Sequence, residues 1–219
     1  APVGAGALSR TTSQDLYSKL FERDHLGVAS STEYLSRGAW VERGAQFGTF
    51  GNSAYSFEGN YRSDPGQRPN NDFQETELHL QLKQQITPND TVYLRGIYYD
   101  ANGGDVSQYY YQTNANLGLR TKETQEPILS LGYNHEWGPG MHTLVLGNWL
   151  NDKLSVNNPT QPTLFIIKED GVTPSYVQPI TVDLTYQSKV EMYSAELQQI
   201  WQRPKDTLIV CGRFQSGDF

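Results

Sequence analysis

Histidine is the side chain best suited to proton transfer or metal ligation near neutral pH, and the spacing of the four histidines speaks against both. His25, His79, His135 and His142 fall in different segments, and none belongs to a Ser/His/Asp set or a metal-ligand spacing. Asp100, Asn102 and Asp105, within Asp-Ala-Asn-Gly-Gly-Asp, put oxygen ligands at alternating positions around glycines, as a site for a hard cation does. The spacing departs from the EF-hand loop and no closing Glu stands in place, while the same residues are ordinary turn formers. Tyr109, Tyr110 and Tyr111 offer rings that stack on a sugar, pack a loop or sit at a membrane interface. Asn89-Asp90-Thr91 matches a glycosylation sequon inside what reads as a turn. These patterns predict a protein that is not an enzyme and needs no metal or cofactor.

A second set of polar residues is defined by alternation. In Glu77–Lys83, Leu78, Leu80 and Leu82 fall on one face and Glu77, His79, Gln81 and Lys83 on the other, the period of a half-buried strand. The return segment puts Val92, Leu94, Gly96 and Tyr98 opposite Tyr93, Arg95, Ile97 and Tyr99. Further along, Leu129 and Leu131 oppose Ile128 and Ser130, Tyr193 and Leu197 oppose Ser194 and Glu196, and Leu208, Val210 and Phe214 oppose Ile209, Cys211 and Arg213. Glu77, His79, Lys83, Arg95, Glu196 and Arg213 are therefore the candidate lumen-lining residues. Their mixed signs predict a wet interior laced with ion pairs, and they also suit the solvated face of a soluble sheet.

The elements that carry these faces are punctuated unevenly. Thr87-Pro88-Asn89-Asp90, Gly138-Pro139-Gly140 and Pro204-Lys205-Asp206 read as tight turns, and residues 73–99, 126–150 and 189–214 as the hairpins they close. Long polar connections are expected at Ala101–Gln125 and Asn151–Ser188. Strands are also expected at His25–Tyr34, Val41–Phe50 and Ala54–Arg62, the last running into the turn-rich Ser63–Asp72. Residues 10–22 read as a short helix or a first strand. Short turns at one end and long loops at the other are the wiring of an antiparallel, up-and-down transmembrane β-barrel. Trp137 and Trp201 precede short turns, while Tyr98, Tyr99 and Trp149 lie at the opposite strand ends, as two aromatic girdles require.

Composition agrees. Of 219 residues, 37% are hydrophobic, and the mean hydropathy is −0.61. A wall wet on one side needs apolar residues only at alternate positions. No stretch is long and apolar enough for a membrane helix, and Ala1–Ser9 lacks the regions of a signal peptide. Cys211 is the single cysteine, so no internal disulfide forms. A net charge of −7 argues against a general nucleic-acid surface. Residues 1–22 are read as a linker or leading segment and 23–219 as the β-barrel segment. About nine strands, the last running outward from Pro204-Lys205-Asp206, predict an incomplete segment of a larger barrel, with no ladder between residues 25–34 and 207–214.

The segments Tyr61–Asp72, Gln81–Pro88 and Glu126–Tyr133 resemble the porin-like barrel half of bacterial outer-membrane proteins that join a tetratricopeptide array to a C-terminal barrel. The resemblance covers residues 20–219. It implies a Gram-negative outer membrane, contact with outer-membrane lipid, passage of a solute or polysaccharide, and a periplasmic partner or N-terminal repeat domain, although no tetratricopeptide pattern occurs in this sequence. Two other functions fit the same residues: the barrel of a TonB-dependent receptor, and a soluble carbohydrate-binding or adhesive β-sandwich.

Overall fold

A computed structural model describes residues 25–107 and 111–218; Tyr109, Tyr110 and residues 1–22 lie outside them. Among the described residues nine strands follow one another: β1 (His25–Tyr34), β2 (Trp40–Phe50), β3 (Ser53–Asp64), β4 (Phe73–Gln85), β5 (Asp90–Gly103), β6 (Arg120–Gly138), β7 (Met141–Ile167), β8 (Tyr176–Gln202) and β9 (Thr207–Asp218). Each pairs antiparallel with its sequence neighbour, giving one up-and-down sheet in the order β1 to β9. The three expected hairpins form, each closed by its short turn. Among the described residues no ladder joins β1 to β9, as expected, and the sheet is open.

Local chemistry fixes the reversals. Between β6 and β7, Pro139 supplies the φ that a tight turn wants first and Gly140 the positive φ, +77°, that it wants second. A Cβ at Gly140 would meet the Gln202 carbonyl oxygen at 2.4 Å, so glycine also admits β8 close to the turn. Gly51-Asn52 makes a further short turn between β2 and β3 at the same end.

The opposite end departs from expectation. Asn151–Ser188 is not a loop: β7 and β8 run 27 residues each and pair from Met141↔Trp201 to Ile167↔Tyr176. β5 and β6 likewise extend to Gly103 and back to Arg120, shortening the connection expected at Ala101–Gln125. Pro159, Pro162 and Pro179 and the break in alternation at the Asn158/Gln161 bulge mask this pairing in the sequence. Beyond Asn157, where β6 ends, the two strands continue alone as a ribbon.

One face of the sheet carries every buried strand residue other than glycine: Val41, Thr49, Ser56, Tyr93, Ile97, Ala101, Ile128, Ser130, Leu144, Leu146, Ser194, Glu196 and Ile200. No second layer lies on it among the described residues. Side chains of a single sheet are hidden in this way only when the sheet curls and they shield one another, so this is the concave face. Tyr93, Leu144 and Ile200 pack together there, as do Ile97, Ile128 and Leu150.

Candidate functional site

The alternation read from the sequence survives as register. Leu78, Leu80, Leu82, Leu129, Leu131, Tyr193 and Leu197 lie on the convex face, 37–59% exposed. Glu77, His79, Lys83, Arg95, Glu196 and Arg213 lie on the concave face, gathered into groups several strands apart. His79 Nε2 stands 2.7 Å from Glu77 Oε1 on the same strand. Arg95 faces inward between Gln81 and Ser130, and Lys83 opposite Tyr93. Glu196, with only 1% of its side chain exposed, takes Arg213 Nη2 at 2.8 Å and Nε at 2.9 Å and also accepts from Gln198. β4 and β8 are four strands apart, about 19 Å along the sheet.

Sequence reasoning missed part of this face. Arg43, Glu58 and Asn60 belong to it, because Asn60 pairs with both Arg43 and Glu77 and Glu58 with His79. Glu75, Glu123 and Asp152 belong to it near the long connections. The alternation of β2 and β3, diluted by glycines, hides the first group; in the second, the β6 bulge between Gln125 and Ile128 shifts the phase of Glu123.

Around the convex face the rings fall into two sets. Near the short turns, Phe50 stacks on Tyr55 at 6.1 Å, and Trp137 meets His135 edge-on at 4.4 Å while donating to Thr143. At the far end, Trp40 meets Tyr61 at 5.4 Å and Trp149 stacks on Tyr193 at 6.2 Å, with Glu191 accepting from both of the latter. Tyr98 joins the far set; Tyr99, expected beside it, turns to the concave face. Between the two sets, the convex positions of β3 to β9 hold no Asp, Glu, Lys or Arg. Tyr193 and Trp201 bound this band on β8, about 26 Å apart along the strand at about 3.3 Å per residue.

The calcium-like residues serve another end. Asp105 is fully buried, and its carboxylate accepts from the Ser107 and Asn116 backbone N–H groups at 3.1 and 2.8 Å, with Arg68 3.5 Å away. Arg68 and Asn71 donate to its carbonyl at 2.7 and 2.9 Å. Asp100 accepts from Thr124 at 3.0 Å. The Asp105 bonds clasp the β3–β4 and β5–β6 connections together, which is turn chemistry, and the Asp100 bond links β5 to β6. Among the described residues no group of three or more His, Cys, Asp or Glu is placed to hold a metal.

No protein-family model, curated protein or solved structure matches this chain.

Proposed function

We propose that this chain is the wall of an outer-membrane β-barrel with a porin-like or transport role, its convex face against lipid and its concave face lining a wet lumen. One observation carries the reading: the convex face of β3 to β9 is a charge-free band between two sets of aromatic rings, while the concave face behind it holds the ion pairs of Glu77 with His79 and Glu196 with Arg213. A soluble sheet has the opposite need, to bury its apolar face and wet its charged one. The β-sandwich alternative requires a second sheet over the leucines, and the described residues form one sheet. The TonB-dependent receptor alternative differs from the proposal by a plug domain.

Lipid contact tests the reading directly. With Cys211 replaced by Ser, single cysteines at Leu80 and His79 are labelled with an environment-sensitive dye, and the full chain is refolded into vesicles of brominated phosphatidylcholine. Quenching at position 80 and its absence at 79 is the expected result; equal quenching at both, or none at either, sinks the proposal.

A further inference from the structure

The concave face is unevenly filled. Across β5 to β8 large side chains pack on one another, whereas across β1 to β4 a groove of about 390 Å³ stays open, at the small end of ligand-pocket sizes. Its floor is two register rows. One runs Ser31, Arg43, Asn60, Glu77, and the next runs Ala29, Ala45, Glu58, His79. Strand spacing makes each row about 14 Å wide, and the methyl groups of Ala29 and Ala45 keep the floor low beside Arg43.

We infer that this groove binds a short zwitterionic peptide, its carboxylate on Arg43 and its ammonium among Asn60, Glu58 and Glu77. The inference rests on the lumen reading for the ligand's access. Charge is separated along the groove, cation on β2 and carboxylates on β3 and β4, roughly 5 to 10 Å apart across one or two strand spacings. That separation suits the two ends of a di- or tripeptide. The Asn60 side-chain oxygen is buried and has no hydrogen-bond partner, so it wants a donor, and an ammonium supplies one with charge complementary to its neighbours. Glu58 is already oriented by Ser56, which donates to it at 3.1 Å, and Arg43 by Glu33 at 2.9 Å. Among the described residues no Phe, Tyr or Trp lines the groove, which removes the broad stacking surface that a saccharide would use.

Calorimetry on the detergent-solubilised full chain tests this with trialanine, N-acetyl-trialanine, trialanine amide and maltotriose. Saturable binding of trialanine is expected, weakened about tenfold or more by blocking either end or by Asn60→Leu or Arg43→Ala, and unchanged by Gln198→Ala on the filled side of the face. Ala45→Leu keeps every charged group and abolishes binding by bulk. Each variant is first matched to the parent by its β-sheet circular dichroism. No saturable binding of trialanine, equal binding of the blocked peptides, tighter binding of maltotriose, or binding that survives Ala45→Leu overturns the inference. Lipid quenching reads the membrane proposal separately: a chain that passes it without binding trialanine fails on the groove alone, and one that binds trialanine without contacting lipid fails on the membrane reading alone.

Discussion

Glu196 shows what a single buried charge demands of this wall. It is the most buried carboxylate of the concave ion pairs, and two Arg213 nitrogens hold it. Arg213→Ala removes the guanidinium from that buried carboxylate and should cost about 3 kcal/mol, the low end for a broken buried pair because Gln198 still donates to it. Urea unfolding of the full chain in vesicles measures the loss, and Arg213→Lys should restore part of it. At the short-turn end, outside the apolar band, hydrogen bonds from Thr87, Tyr133 and His135 hold the Asp90 carboxyl down at about 2, from an ordinary value of 3.8. A lowered pKa stabilises above the unfolded value, so the turn keeps this contribution above about pH 4 and loses it as the pH falls toward 2. The Asp90 carboxyl resonance should titrate near 2, and Asp90→Asn should flatten the stability profile in that window. The pairing of Glu77 with His79 was open to sequence reasoning, since both sit on one strand two residues apart. That of Glu196 with Arg213 was not, because it depends on the register between β8 and β9.

Among the elements, the β7–β8 hairpin separates into trunk and ribbon. Residues 141–157 of β7 are flanked on both sides by strands, whereas residues 161–167 and 176–182 have only each other. A two-stranded ribbon is marginal in water, so its amides should exchange far faster than those of the trunk. Hydrogen–deuterium exchange should show that boundary near Asn157; uniform protection along the hairpin would refute it. The same hairpin marks where sequence reading stopped. Strands were legible wherever apolar and polar residues alternated without interruption, as in Leu78–Lys83 and Leu129–Tyr133. Three prolines, a bulge and the positive φ of Thr160, 56°, gave the ribbon the look of a loop, although its backbone stays extended and paired.

For the whole molecule, the membrane reading makes stability depend on solvent in a way that no contact within the sheet does. Leu80→Arg places a charge on the convex band and should cost about 2 to 4 kcal/mol in phosphatidylcholine vesicles, while His79→Arg, one residue away on the concave face, should cost little. Comparable losses for both, by urea titration in the same vesicles, would contradict the assignment of faces. Which face is apolar was legible from period alone; the curl of the sheet was not, since it shows only in which side chains shield one another. The strand count has a geometric consequence of its own. Eight successive reversals leave the two outermost strands travelling in the same direction, from the short turns toward the long connections. A seam made directly between β1 and β9 would thus be a parallel ladder with slanted hydrogen bonds, alone among antiparallel ones. An antiparallel seam at either edge needs a strand that travels the other way, whatever chain supplies it.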